Sequence, residues 1–224
     1  MRREILAIIS SMPPLPPLFI PINFTMDKKM NAISICNAAL MKLGASPIVG
    51  FDDSSPESMV VAKLYPVIKQ GLLSSHIWGF ATRTTILAPL NVTQVNGDKN
   101  NNMAPYRHQL PVDFLRVINV FTRHLGENST IRYEIHERAI VSQYADIMLK
   151  YIADIDDKNL PPFFVQPLVA RLAAEFCMPI TDSTTRMQAL YNIATKELQK
   201  ARGIDAQQET PAILSSQILL EGRG

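Results

Sequence analysis

The chain has 224 residues, of which 47% are hydrophobic and 19% are charged. The hydrophobic fraction excludes a chain that is disordered by composition, although the charged fraction is below the roughly 25% usual for globular proteins. The formal net charge is +2, and residues 1–30 carry all of it, because 18 basic and 18 acidic residues balance from Asn31 onward. A neutral body argues against a dedicated DNA-binding domain, which usually has a basic excess.

The N-terminal 29 residues are rich in proline. Arg2 and Arg3 precede a short apolar stretch at Ile5–Ile9, as in a signal peptide, but prolines follow it without an A-x-A cleavage site. We therefore interpret residues 1–29 as a disordered extension or an upstream mis-start, with the domain beginning near Met30. Since no apolar run approaches the roughly 18–20 residues of a membrane-spanning helix, we also expect no membrane contact.

Four helices are predicted from apolar residues at helical spacing. Asn31 opens the first, which Gly44 closes as a C-cap, and a capping box of Ser54 and Glu57 opens the second. We expect a kink at Pro66 in the second helix. Pro179 is expected to end the third helix, and Gly203 is expected to end the fourth. A residue in 181–183 is expected to be the N-cap of the fourth helix. The predicted ranges are 31–43, 55–74, 163–178 and 184–202.

Between residues 83 and 153 the apolar residues no longer follow a helical spacing. Short runs of β-branched and aromatic residues cover 84–89, 114–122, 131–136, 139–143 and 147–153, and turn-like segments separate most of them. They predict one small antiparallel meander of three to five strands. Without strands and helices in alternation, a parallel nucleotide-binding sheet is not expected. The predicted fold class is α+β, with a four-helix bundle-like core, a small inserted antiparallel β-sheet and extended termini.

The sequence shows no constellation typical of catalysis or metal binding. The histidines at 76, 108, 124 and 136 have no metal-ligand spacing, and no glycine-rich phosphate loop or nucleophile motif occurs. Asp154, Asp156 and Asp157 lack the glycine and glutamate of a calcium loop and are predicted to form a solvated turn. Cys36 and Cys177 are predicted to be reduced core thiols. We therefore predict no enzyme activity, no catalytic residue, no cofactor and no metal site.

Two clusters in the middle of the chain have alternative interpretations. An arginine cluster predicts a phosphate- or DNA-facing sheet surface, but ordinary cross-strand pairing with nearby acidic residues explains the same pattern. Those acidic residues are Asp113, Glu127, Glu134 and Glu137. The cluster is Arg107, Arg116, Arg123, Arg132 and Arg138, of which Arg116, Arg123 and Arg132 are the candidates for facing DNA. Trp78 and Phe80 are predicted to anchor the end of the second helix to the core, the alternative being a binding platform.

Residues 204–224 are predicted to leave the helical body as a docking arm, because they follow Gly203. A polar lead at Asp205, Gln207, Gln208 and Glu209 precedes an apolar set. These apolar residues are Ile213, Leu214, Ile218, Leu219 and Leu220. On contact with a partner, the spacing of Leu214 and Ile218 would suit a short amphipathic helix, and a frayed terminus without contacts is the alternative.

Four stretches resemble a specific family. They are ICNAALMKLGASPIVGFDDSSPESMVVAKLYPVIKQGLLSSHIWGFATR, LPVDFLRVINVF, YEIHERAIVSQ and LKYIADIDDKNLPPFFVQPLVARLAAEFCMPIT. Together they resemble the tail tubular protein A or head-to-tail adaptor family of short-tailed bacteriophages, over about residues 31–205. Pro167 departs from the helix-compatible residue typical of the family, and residues 1–29 match nothing in it.

The resemblance implies a structural virion protein with a helical bundle and an inserted β-region, divided here into an adaptor domain at 30–203 and the arm at 204–224. Family members form a ring, usually a dodecamer, beneath the portal, extend the DNA channel and support the tail nozzle and fibres. The implied partners are other copies of the chain, the portal, nozzle and fibre proteins, and genomic DNA in transient non-specific contact. The implied location is the virion neck, with the host cytoplasm during assembly.

The resemblance also implies that the apolar residues of the arm grip the portal. Two alternatives remain: a DNA-binding regulator of phage or host, disfavoured by the neutral body, and a hydrolase using His76 or His136, disfavoured because no partner residues are evident.

Overall fold

The structure, a computed structural model, describes residues 30–90, 106–123, 125–126 and 129–208. These residues form four α-helices and six β-strands. The predicted N-terminal extension and the apolar residues of the predicted arm lie outside the described residues. All six strands lie between the second and third helices in the chain, so the α+β class and the inserted β-region are confirmed.

Helix α1 (Ala32–Leu43) begins one residue later than predicted, because Asn31 is its N-cap, and Gly44 is its C-cap as predicted. The Asn31 side chain accepts a hydrogen bond from the Ser34 N–H at 2.8 Å, and Gly44 has a φ of 70°, a left-handed conformation that glycine adopts without strain.

Helix α2 (Pro56–Ser74) begins one residue later than predicted. Its N-cap is Ser55 rather than Ser54, and the Ser55 hydroxyl accepts from the Ser58 N–H at 3.2 Å. Pro56 explains the shift, because proline favours the first helical position and the residue before it becomes the cap. The helix then continues through Pro66 to Ser74.

Helices α3 (Pro162–Thr181) and α4 (Thr184–Gln208) are both longer than predicted. Pro179 does not end α3, because it lies in the last turn, where a proline removes only one backbone hydrogen bond. Ser183 caps α4 as predicted: its hydroxyl accepts from the Arg186 N–H at 3.4 Å. Gly203 does not end α4, and the buried face of that helix extends past it from Ala201 to Asp205.

Replacing Gly203 by alanine is expected to raise the free energy of unfolding by about 0.5–1 kcal/mol, because alanine is the better residue inside a helix. A methyl group at this exposed position would meet no atom within 4 Å. Urea denaturation measures the change. The matched control is Gly44→Ala, which is expected to destabilise the protein because the φ at this position is positive. Destabilisation by Gly203→Ala as well would contradict the continuous helix.

The strands form two three-stranded antiparallel sheets rather than the single meander predicted. The first sheet has the order β1 (Thr82–Leu87), β6 (Ile147–Ala153), β3 (Phe114–Phe121). The second has the order β2 (Tyr106–Gln109), β5 (Ala139–Ser142), β4 (Tyr133–His136). Strand β2 was not predicted, since its sequence YRHQ lacks the β-branched residues that mark the other strands.

Long-range pairing explains why the meander prediction was wrong. Strand β6 pairs along its length with β1, from Thr82 opposite Ile152 to Leu87 opposite Ile147, and with β3 on its other edge. Five of its seven residues are buried. Nothing in the local sequence of a short buried strand specifies which strands will flank it.

Helix α3 packs against each of the other three helices, while α2 contacts strands β3 and β6. Eleven of the twenty residues of α3 are buried, among them Phe164, Leu168 and Phe176. Contrary to the sequence expectation, α3 is long and apolar enough to cross a membrane by length and composition. Its position among three helices accounts for that apolar length, which is common in the core helices of soluble proteins.

Candidate functional site

The end of α4 is fixed to the body of the protein by a buried carboxylate. Asp205 is 3% exposed, and its Oδ2 accepts a hydrogen bond from the Gly79 N–H at 3.1 Å. The same oxygen lies 4.0 Å from His76 Nε2. Gly79 begins a 3₁₀ helix, Gly79–Ala81, that connects α2 to β1. Asp205 was predicted as part of the polar lead of the arm, but the structure shows it as an anchor of the helical body.

Trp78 lies beside this anchor and is fully buried. Its Nε1–H donates to the Leu72 carbonyl at 3.2 Å. Its ring contacts Phe164 edge-on, with centroids 5.1 Å apart, and lies 4.8 Å from the His76 ring. The structure confirms Trp78 as a core anchor at the end of α2, because a fully buried indole has no face left for a ligand.

Partly exposed apolar side chains occur on the elements that the anchor joins. Ile77 and Ile204, the neighbours of Trp78 and Asp205 in the chain, are 45% and 43% exposed. Phe80 and Phe163 are half-buried, and their ring centroids are 5.8 Å apart.

A second cluster joins α2 to the loop before α3. Lys69 Nζ lies 3.2 Å from Asp154 Oδ1 and 2.9 Å from Asp157 Oδ1, and only 11% of the Lys69 side chain is exposed. The Tyr65 hydroxyl donates to Asp157 Oδ1 at 2.7 Å. Burial, together with this hydrogen bond to a carboxylate, raises the pKa of Tyr65 well above its usual value.

The prediction of a solvated turn at Asp154, Asp156 and Asp157 was therefore wrong for two of the three residues. Asp154 and Asp157 hold Lys69, whereas Asp156 is exposed and pairs with Lys158, which lowers the pKa of Asp156. Sequence reasoning missed Lys69 itself. The signal was its spacing of four residues from Tyr65, which places it on the buried face of α2.

A shallow, solvent-open depression of about 490 Å³ lies next to this cluster. Its lining includes Lys69, Asp154 and the loop residues Val112 and Asp113. The Lys69 ammonium is already shared between two carboxylates, and Asp113 is held by Arg83 and the Tyr151 hydroxyl. Each of these charged groups is paired with a group of opposite charge, which leaves the depression poorly suited to binding a charged ligand. In the described part of the chain, no group of three or more His, Cys, Asp or Glu residues could hold a metal ion.

The three arginines of the predicted DNA-facing surface have different environments. Arg116 is half-buried, and its Nη1 donates to the Ser74 carbonyl at the end of α2 at 2.8 Å. Arg123 and Arg132 are exposed. The alternative of local charge pairing holds for Arg107, which contacts Glu137 at 2.7 Å, whereas Asp113 pairs with the more distant Arg83.

The described histidines are dispersed. His108 is fully buried in the second sheet, and because a carbonyl only accepts, its Nε2–H donates to the Ala145 oxygen at 3.0 Å. His136 contacts Glu134 at 2.9 Å on an exposed strand. His76, the other histidine of the hydrolase alternative, lies near Asp205. The hydroxyl of the adjacent Ser75, a possible nucleophile by its position in the chain, donates its hydrogen bond to the Leu72 carbonyl at 2.8 Å rather than to His76. His124 lies outside the described residues.

Both cysteines are free and fully buried, in agreement with the prediction of core thiols. Burial, together with the negative charge of Asp157, raises the pKa of the Cys36 thiol to about 12. A thiol with so little thiolate at neutral pH is a poor nucleophile and metal ligand.

No protein-family model matches the chain, and a search of curated proteins likewise gave no match.

Proposed function

We propose that the chain is a structural head-to-tail adaptor of a short-tailed phage or prophage. In this proposal the four helices form a bundle-like core around α3, and copies of the chain assemble as a ring beneath the portal. The ring extends the DNA channel and supports the tail nozzle and fibres. Its role needs no catalytic group, cofactor or metal. Support comes from the four sequence stretches that resemble this family and from the α+β fold that the resemblance implies.

The observation that carries the proposal is the anchor at Asp205. Asp205 holds the last turn of α4 against Gly79, and α4 ends three residues later at Gln208. The apolar set from Ile213 to Leu220 follows within a few residues. The anchor thus gives the arm a fixed starting point on the helical body, as a docking segment requires.

The proposed contact with DNA in the channel is limited to exposed cations. Arg123 and Arg132 are exposed, whereas Arg116 is occupied at the end of α2. With a neutral body, such contacts are expected to be weak, sequence-independent and sensitive to salt. Tight, sequence-selective DNA binding by the isolated protein would favour the regulator instead.

A chain ending at Gln208 is expected to lose its affinity for portal rings. Burying one large apolar side chain contributes about 1.5–3 kcal/mol, so the loss of even two contacts lowers affinity by at least about a hundredfold. Co-sedimentation with the portal protein of the same phage or prophage measures this. The far-UV circular dichroism of the described helices and strands is expected to persist, because Asp205 is retained.

The matched control for this truncation is the full-length chain carrying Met59→Ser, a change at an exposed residue of α2. It is expected to bind portal rings with unchanged affinity. Full affinity of the truncated chain, combined with a loss in the Met59→Ser variant, would move the docking surface to the outer face of α2. Absence of portal binding by the wild-type protein would reject the adaptor proposal.

A further inference from the structure

Each of the two sheets has one outer edge that is partly covered and one that is not. The outer edge of β3 is partly covered, because the Ile131 N–H donates to the Val120 carbonyl at 3.0 Å. The outer edge of β2 is partly covered by Pro89, which pairs with His108 in an isolated bridge. Among the described residues, none pairs with the outer edge of β1 or with that of β4. We call these two the free edges.

The free edges lie on opposite sides of the pair of sheets. Pro89 follows β1 in the chain and pairs with β2, so β1 lies beside β2. Ile131 precedes β4 and pairs with β3, so β4 lies beside β3. One side of the two sheets therefore carries the edge of β1, and the other carries the edge of β4. Two different contact surfaces on one chain are what head-to-tail association requires.

The hairpin between β4 and β5 determines which backbone groups of β4 point outward. A turn of two residues joins His136 of β4 to Ala139 of β5, which are paired in register. A hairpin of this kind closes with a hydrogen-bonded pair, and such pairs alternate with non-hydrogen-bonded pairs along antiparallel strands. Tyr133 and Ile135 are thus non-hydrogen-bonded positions. Their N–H and C=O groups point away from β5, where a further strand can pair with them.

The side chains of the two free edges are complementary. On β4, Ile135 is 46% exposed and the side chain of Glu134 is 60% exposed. On β1, Ile86 is 51% exposed, and the Arg83 side chain remains 54% exposed although it contacts Asp113. Strand β1 contains no acidic residue. A β-branched strand that carries a positive charge is therefore a suitable partner for β4, and a second copy of the chain supplies it.

We propose that the free edge of β4 pairs with the free edge of β1 from a second copy of the chain. Each copy then uses β4 toward one neighbour and β1 toward the other, so the contact propagates head to tail. The closure of such contacts into a ring rests on the proposed function. Tyr133 and Ile135 offer only two donors and two acceptors, so a single contact is weak and association is expected to depend on protein concentration.

The experiment removes one outward-facing donor. Ile135→Pro deletes the N–H that points away from β5 and keeps the pairing within the sheet, as is usual for prolines in edge strands. Ile135→Thr is the matched control, because threonine is β-branched and retains the N–H. Sedimentation velocity at increasing protein concentration measures association, and far-UV circular dichroism checks the fold. We expect the wild type and Ile135→Thr to associate alike, and Ile135→Pro to associate at least about tenfold more weakly.

A second variant keeps every backbone group, in case proline disturbs the strand. Glu134→Lys places a cation at the edge that meets Arg83 of the second copy. It is expected to weaken association about threefold at low salt, with a smaller effect at high salt. If neither Ile135→Pro nor Glu134→Lys weakens association, or if the wild type is monomeric at every concentration, the proposal is overturned.

A mixture distinguishes head-to-tail pairing from the pairing of two identical edges. Fluorescently labelled Ile135→Pro retains its β1 edge, so it is expected to join wild-type chains and to shorten them, because it offers no edge for the next copy. A labelled variant that stays monomeric while the wild type associates would overturn the proposal, since β4 would then pair with β4.

Co-sedimentation with portal rings separates this proposal from the proposed function. If both hold, the wild type self-associates through the free edges and also binds portal rings. If it self-associates in this way but no portal binds, the edge contact holds and the adaptor proposal fails. If the portal binds, yet neither variant changes association, the adaptor proposal holds and the edge contact fails.

Discussion

Replacing Trp78 by alanine is expected to lower the free energy of unfolding by about 3–5 kcal/mol, the range for removing a large aromatic side chain from a core. Trp78 is fully buried, and the substitution removes its ring contacts with Phe164, Phe80 and His76. It also leaves the Leu72 carbonyl without its indole donor. Urea denaturation followed by far-UV circular dichroism measures the loss, since the variant has no tryptophan to report by fluorescence.

Two further variants test this explanation. Trp78→Phe keeps most of the apolar volume but not the N–H donor, so it is expected to cost less, about 1–2 kcal/mol. Ile86→Ala, at a half-exposed position of β1, is expected to cost below about 1 kcal/mol. A Trp78→Ala variant no less stable than Ile86→Ala would show that the end of α2 is not anchored through this ring.

Replacing Lys69 by methionine is expected to lower the free energy of unfolding by about 2–3 kcal/mol. Methionine retains the aliphatic stem but leaves the carboxylates of Asp154 and Asp157 without their shared cation. Breaking a fully buried pair costs about 3–5 kcal/mol, and these two carboxylates are partly exposed, which reduces the cost. Chemical denaturation measures it.

Lys158→Met is the matched control, because Lys158 and Asp156 form an exposed pair, each about 60% exposed. Its cost is expected to be too small for chemical denaturation to resolve. In an Asp157→Asn background, Lys69→Met is expected to cost at least about 1 kcal/mol less than in the wild type, because one of the two pairs is already absent. An unchanged cost in that background would attribute the effect to packing of the lysine stem rather than to charge.

The candidate site was only partly predictable from the sequence. Local signals in the sequence predict two of its features. An aromatic cluster indicates that Trp78 is important, and the apolar stripe of the fourth helix indicates that a C-terminal segment starts near the end of that helix. Asp205 was misread as part of the polar lead of the arm, and Lys69 was missed, because a charged residue on a helix is exposed far more often than buried. Their partners, Gly79 and Asp157, lie 126 and 88 residues away, so no local pattern identifies them.

The sequence by itself determined the number, type and order of the described helices, the C-cap at Gly44, an N-cap for the fourth helix within residues 181–183, and five of the six described strands. These features depend on side-chain periodicity and on hydrogen bonds between residues a few positions apart, which local sequence specifies. Only the tertiary structure decided that the strands form two sheets with β6 between β1 and β3, and that α4 continues through Gly203. Strand neighbours depend on pairing across long stretches of chain, and a poor helix former is tolerated when a buried contact beyond it, here Asp205 with Gly79, holds the next turn in place.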